Sequence, residues 1–221
     1  QEIEEIFKVL DKHEISKETI ENCLHVLAIG KAQKIKEIFN VLEAHNISKG
    51  TIENCLSVLA QGKAQEIEEI FNVLEAHNIS KETIENCLHV LAIGKAQEIE
   101  EIFKVLDKHE ISKETIENCL SVLAQGKAKE IEKTFKVLEA HNISKETIEN
   151  CLSVLARGKA QEIEKIFKVL EAHNISKEKI ENCLSVLSQG KAEGKAQEIE
   201  KVFKVLEAHN ISKEKIENCL L

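Results

Sequence analysis

The residue types able to do chemistry here are thiols and imidazoles. Cysteines recur once per repeat, at Cys23, Cys55, Cys87, Cys119, Cys151, Cys183 and Cys219, and histidines such as His45 accompany them. Together such groups can hold zinc or form a nucleophile with its base. Zinc sites want close ligand pairs of the CxxC or HxxxH kind, and neither spacing occurs in the chain. A nucleophile needs one activated position with an orienting third group, whereas these thiols repeat in equivalent apolar settings. They read as small core residues, and the repeated histidines at helix ends as caps or core-edge residues. An odd number of single thiols also points to an intracellular, reducing compartment. Five Asn-Ile-Ser sequons, beginning at Asn46, Asn78, Asn142, Asn174 and Asn210, would matter only in a secreted chain.

Carboxylate pairs such as Glu4 with Glu5 and Glu68 with Glu69 recur near the start of a helix. They suit the positive end of the helix dipole better than general acid–base work. Gly-Lys-Ala recurs without the GxxxxGK[ST] context of a nucleotide loop, and there is no Ser-His-Asp set or dinucleotide fingerprint. The expectation is a non-enzymatic protein with no cofactor, no metal and no small-molecule substrate.

What must position these residues is a copied unit. The 221 residues are 43% hydrophobic, enough for a sizeable core, yet they contain no Pro, Met, Trp or Tyr and draw all their aromatic content from Phe. Laid on itself, the sequence shows a 32-residue period with units at 1–32, 33–64, 65–96, 97–128, 129–160, 161–196 and a truncated 197–221. The segment Gly190 to Ala196, GKAEGKA, adds four residues before the last unit and predicts a longer, more mobile loop. No run approaches the roughly 18 apolar residues of a membrane span, and no basic-then-apolar leader is visible. Because the first residue is not Met and falls inside a helix pattern, an excerpt of a longer protein is expected.

In the second unit Ile35, Ile38, Phe39 and Leu42 follow helical spacing over Gln33 to His45, and Asn46 suits the left-handed residue that closes a helix. Ser48 is a good N-cap for a second helix through Ile52, Cys55, Leu56 and Leu59, ending at Gly62. These are two helices of about 13 residues. Neither can hide its apolar stripe alone. Stacked copies make the stripes continuous, which predicts an all-α fold, a single tandem array forming an α-solenoid or superhelix.

Differences between copies carry the functional reading. Positions four apart switch together: His25 with Ile29 and His89 with Ile93, against Ser57 with Gln61, Ser121 with Gln125, Ser153 with Arg157 and Ser185 with Gln189. Relative to Ile52, Ser57 and Gln61 project roughly 140° and 180° around the helix, away from the core stripe. Glu53 and Asn54 also lie largely off that stripe but never vary, so free drift alone does not explain the switching pairs. They are candidate specificity residues. A second variable block, DKHE at Asp11 to Glu14 and Asp107 to Glu110 against EAHN elsewhere, assorts independently.

The stretch VLEAHNISKETIENCLSVL from Val137 to Leu155, with Gly158-Lys159 after it, resembles the repeats of transcription activator-like effectors and their bacterial relatives. Ile143-Ser144 matches that family's helix opening, Gly158-Lys159 its turn, and Val169-Leu170 with Ala172-His173 its helix ending. The units here are slightly shorter and lack the paired glycines and prolines of the family's reading loop. The resemblance implies a right-handed superhelix around duplex DNA, with the turn lysine near the phosphate backbone. By position those turns are Gly30-Lys31, Gly62-Lys63, Gly94-Lys95, Gly126-Lys127, Gly158-Lys159 and Gly190-Lys191, facing one side while glutamates collect on the other. A bacterial effector acting in a host cell would fit. Repeats of the mitochondrial transcription termination factor family look similar at the level of "L…GIS.E.I…L".

The net charge of −9 opposes bulk attraction to a polyanion, so nucleic-acid binding requires a locally basic face. The leading expectation is sequence-selective binding of nucleic acid, double-stranded DNA foremost, by the concave face. The alternative is a protein-interaction solenoid using the same variable surface. No membrane partner is expected.

Overall fold

The structure, a computed structural model, describes residues 2–24, 30–59, 62–91, 94–152, 159–188 and 195–218; within them, the side chains of 57–59, 90, 91, 183, 185–188, 195, 213, 217 and 218 lie outside the description. Fourteen helices and no strand occur among the described residues. They alternate as the first and second helix of each repeat: α1 (Glu2–Lys12) and α2 (Lys17–Asn22), α3 (Ala32–Ala44) and α4 (Lys49–Leu59), α5 (Ala64–Ala76) and α6 (Lys81–Leu91), α7 (Ala96–Lys108) and α8 (Lys113–Leu123). The same order continues as α9 (Ala128–Ala140) and α10 (Lys145–Asn150), α11 (Ala160–Ala172) and α12 (Lys177–Ser188), α13 (Lys195–Ala208) and α14 (Lys213–Asn218).

The helix boundaries follow from local chemistry. α3 closes with Asn46 at φ 54°. This left-handed residue lets the Asn46 N–H donate to the Glu43 carbonyl and the Ile47 N–H donate to the Leu42 carbonyl, both at 2.9 Å. The paired bonds satisfy two carbonyls that a helix end otherwise orphans, and buried Ile47 and Leu42 are the apolar pair that accompanies this closure. The DKHE units place Glu14 and Glu110 at the same left-handed position, with φ 54° and 52°. A non-glycine residue there costs on the order of 1 kcal/mol. Lys49 and Lys145 of the following repeats lie 3.4 Å from these two carboxylates. Such exposed pairs contribute little.

The second helices begin on a serine. Ser16, Ser112 and Ser144 each accept from the backbone N–H three residues on, at Thr19, Thr115 and Thr147. Ser48 does the same from Thr51 at 3.2 Å. The first helix is one residue earlier than its apolar spacing predicts, Ala32–Ala44 rather than Gln33 to His45, and the second, where it is described to its end in α8, runs 11 residues behind its N-cap Ser112. Both shifts arise at caps, which hold non-helical backbone angles.

Two compact units are formed, Gln1–Phe103 and Lys104–Leu221. In the first, α1 packs on α3, α3 on α5 and α4 on α6, while α3 with α4 and α5 with α6 close each pair. In the second, α9 packs on α11 and α11 on α13. Like helices of successive repeats therefore lie side by side, which is α-solenoid packing. Ile38, Phe39 and Leu42, with Ile70, Phe71 and Leu74 one period on, are buried almost completely. Burying each of these side chains contributes about 1.5–3 kcal/mol.

One core position breaks the pattern. Thr134 stands where Ile6, Ile38, Ile70 and Ile166 stand in other repeats, and it is the buried polar residue among those described. Its hydroxyl donates back to the Glu130 carbonyl at 2.9 Å, which satisfies the oxygen but adds no apolar contact. Thr134→Ile is expected to stabilise the chain by about 1 kcal/mol, read as a higher Tm in thermal denaturation. A lowered Tm would show that the site cannot take the side chain that its equivalents hold.

Candidate nucleic-acid interface

Lys31, Lys63, Lys95, Lys127 and Lys159 are exposed and immediately precede successive first helices. At Lys31, Lys63, Lys127 and Lys159 the backbone is extended, with φ between −120° and −95°, and the lysine side chain makes no capping bond. Each carbonyl starts the helical ladder, for example from Ile35 N–H to Lys31 at 3.0 Å. The lysine backbone therefore opens a 13-residue helix, whose positive N-terminal end favours anions. Gly62 and Gly126 are buried, and Gly30 and Gly94 are half-buried.

The carboxylates do not segregate from these lysines as expected. Glu2 accepts from the Ala32 N–H at 2.7 Å and Glu66 from the Ala96 N–H at 2.6 Å, each across one repeat boundary. A glutamate of the preceding repeat thus caps the first helix right beside its turn lysine. In the second repeat that glutamate is replaced by Lys34. There a depression of about 420 Å³ is lined by Lys34, Lys63, Glu37, Glu66 and Glu69 among others. The turn edge is mixed in charge because the helix N-termini attract acids to the place where the lysines stand.

Most of the switching pairs fall outside the described residues: His25, Ile29, Gln61, Ile93, Ser153, Arg157 and Gln189, as do Gly158, Gly190 and Lys191. Ser57 and Ser185 lie in α4 and α12, with their side chains outside the description. His89 is exposed on α6. Ser121 is half-buried and Gln125 exposed, and the Gln125 side-chain amide donates to the Ser121 backbone carbonyl at 3.1 Å. That bond joins one pair and occupies a carbonyl at the end of α8.

The structure gives the repeated histidines a definite task that spacing alone did not reveal. His13, His45, His77, His109, His141 and His173 lie over Phe39, Phe71, Phe103, Phe135, Phe167 and Phe203 of the next repeat, with ring centroids 4.1–4.7 Å apart. His13, His45, His109, His141 and His173 also reach Glu43, Glu75, Glu139, Glu171 and Glu207 through Nδ1, at 2.5–2.7 Å. The last pair is separated by 34 residues rather than 30. The four inserted residues thus lengthen the connection without moving the contact.

Glu53, whose constancy seemed to need a reason, accepts the Ser16 N–H at 2.8 Å. Its equivalent Glu85 receives the Ser48 N–H and hydroxyl and the Thr51 hydroxyl at 2.8–3.1 Å. Partial burial pushes the Glu85 carboxyl up, but the donors on Thr51 and Ser48 outweigh it and hold the group below the usual range. This acid is fixed because it pins the start of the preceding repeat's second helix. The legible signal was one His, one Phe and two acids held in constant register through every full repeat.

The cysteines behave as packing residues. Cys55, Cys87 and Cys151 are buried, and burial pushes the Cys55 and Cys151 thiols up, which disfavours the reactive thiolate. Among the described residues no group of three or more His, Cys, Asp or Glu could hold a metal ion, and no helix is long and apolar enough to cross a membrane. Comparison with protein-family models, curated proteins and solved structures gives no match.

One carboxylate is more strongly held than the rest. Lys108 Nζ lies 2.5 Å from Glu132 Oε1, His109 Nε2 lies 3.2 Å from its Oε2, and Lys136 stands 3.3 Å away. The Lys108 hydrogen bond, ahead of those from His109 and Lys136, brings Glu132 down to about 2 against the opposing effect of burial. A depressed carboxylate stabilises the fold fully above the ordinary glutamate range and loses that contribution as pH falls toward its folded value. Glu132→Gln is expected to lower Tm at neutral pH, with the difference from the parent shrinking between about pH 4.5 and about pH 2. Thermal melts across that range check this, and a pH-independent difference would refute the assignment.

Proposed function

We propose that this chain is a non-enzymatic repeat scaffold that binds nucleic acid, double-stranded DNA foremost, along the edge formed by its Gly-Lys turns. The observation that carries this reading is the recurrence of an exposed lysine at the start of successive first helices, at Lys31, Lys63, Lys95, Lys127 and Lys159. A duplex presents evenly repeated phosphates, and equivalent cations that recur at helix N-termini within each unit are suited to such a ligand. In this reading Gly30, Gly62, Gly94, Gly126, Gly158 and Gly190 bring the backbone close, and Lys191 extends the row.

Selectivity is assigned to the switching pairs that precede each turn. Gln61, Gln125 and Gln189 carry both a donor and an acceptor for a base edge, whereas Ile29 and Ile93 can make only apolar contact. The Gln125 amide donates to the Ser121 carbonyl, so the two positions of that pair are joined. The resemblance to transcription activator-like effector repeats points the same way. A protein-binding scaffold is the second reading. It is favoured by the mixed charge around Lys34, Lys63, Glu37, Glu66 and Glu69 and by the net charge of −9.

Selection from a random duplex library by electrophoretic mobility shift, at stated salt, tests the proposal. Enrichment of a motif is expected, and binding without any selected motif and without salt dependence would remove it. Replacing Lys31, Lys63, Lys95, Lys127 and Lys159 by Gln should weaken binding to all duplexes. The slope of log affinity against log salt should become shallower by about 0.9 for each lysine that meets a phosphate. An unchanged slope would show that the turns do not face the backbone.

A further inference from the structure

Two junctions between repeats are built from the same DKHE block, one at Lys12 and His13, the other at Lys108 and His109. Their histidine rings are held alike. His13 lies over Phe39 at 4.3 Å and reaches Glu43 through Nδ1 at 2.6 Å. His109 lies over Phe135 at 4.1 Å and reaches Glu139 through Nδ1 at 2.7 Å. One of the positions that differ between the junctions is Glu132 in the second, where the first has Lys36. It decides what the other ring nitrogen meets.

At Glu132 a single carboxylate bridges two donors. Its Oε1 lies 2.5 Å from Lys108 Nζ and its Oε2 lies 3.2 Å from His109 Nε2. A glutamate also serves this position for His77, whose Nε2 lies 3.6 Å from Glu100. The first junction keeps both donors, as Lys12 and His13, and brings a third cation in place of the acid. His13 Nε2 is buried with no hydrogen-bond partner, on a side chain only 5% exposed. Lys12 and Lys36 are exposed, and neither pairs with a carboxylate among the described residues. A buried polar atom without a partner is rare because it is costly. Here the missing partner has a known form, since the equivalent junction holds it.

We infer that the junction of α1 with α3 binds a carboxylate, which bridges Lys12 Nζ and His13 Nε2 beside Lys36 as Glu132 bridges Lys108 and His109. One oxygen accepts from the ammonium and the other from the imidazole. With Nδ1 engaged by Glu43, the ring of the filled site carries both protons, and a ring that starts neutral takes one from solvent. Charge-assisted bonds of this kind are the strong ones, and two oxygens on one carbon suit the two donors. The site lies at the C-terminal end of α1, away from the Gly-Lys turns that precede the first helices. It is therefore separate from the proposed nucleic-acid edge.

The imidazole signals of the full chain in NMR spectra at about pH 6.5, within the ordinary histidine range, read this directly. Sodium acetate is raised from about 1 mM to about 100 mM, a span that covers weak single-group contacts, against sodium chloride at equal ionic strength. His13→Gln identifies the signal. The His13 signal is expected to shift and saturate with acetate alone, while that of His109, already bonded to Glu132, stays in place. Lys36→Glu supplies the acid from within the chain, so it should abolish the response and leave the far-UV circular dichroism of the parent. A capped peptide with one glutamate, titrated in the same way, separates the sources. Half-saturation well below that of acetate assigns the site to a partner's acidic side chain, an equal value assigns it to a free carboxylate, and both uphold it. A His13 signal that follows chloride as it follows acetate, or a Lys36→Glu chain that responds as the parent does, would overturn the inference.

Discussion

Everything in this structure depends on one contact, the burial of a repeat's apolar face by its neighbour. A 32-residue helix pair has two stripes and only one internal interface, so a substantial apolar surface remains after the pair closes. Stacking removes it from water, and the free energy of the fold is then a sum over neighbouring pairs. The His–Phe–Glu contact sets the register of that stacking. Phe supplies the buried area, and the ring of the preceding histidine lies over it, flat except at His141, which is tilted by 34°. The glutamate one period on fixes the histidine by hydrogen bonding. Aromatic pairing of this kind adds about 0.5–1.5 kcal/mol beyond area alone, and it recurs at His13, His45, His77, His109, His141 and His173.

This constraint changes how constancy between the copies is to be understood. Histidine, the acid after it and the glutamate of the second helix are all fixed by contacts between repeats, as His45 with Glu75 and Ser48 with Glu85 show. Their sameness needs no ligand. Glu53 is invariant because it is an interface residue, bonded to Ser16 of the preceding repeat. On the turn side of the repeats the lysines are exposed and acids of the preceding repeat cap the helices.

Much of the fold was legible in the sequence because helical spacing and capping are local. Ile35, Ile38, Phe39 and Leu42 declared a buried stripe, Ser48 a helix start and Asn46 a left-handed closure, and all of them take those places. The tolerance of the same left-handed position for Glu14 and Glu110 was not legible, since the closing bonds, as from Glu14 to Asp11 and from Ile15 to Leu10, are made by the backbone and do not depend on the side chain. Nor was the mingling of acids with the turn lysines. Sequence distance places Glu66 and Lys95 far apart, and only the stack brings the Glu66 carboxylate to the Ala96 N–H beside that lysine.

The chain by itself determined the period, the helix pairs, their caps and the burial of one stripe per helix, because each rests on residues within a few turns of one another. Tertiary structure decided what each off-stripe residue does: which histidine meets which ring, which acid caps a neighbour's helix, and which cysteine is sealed from solvent. Those choices join residues about 30 positions apart, across an interface whose geometry no single repeat contains.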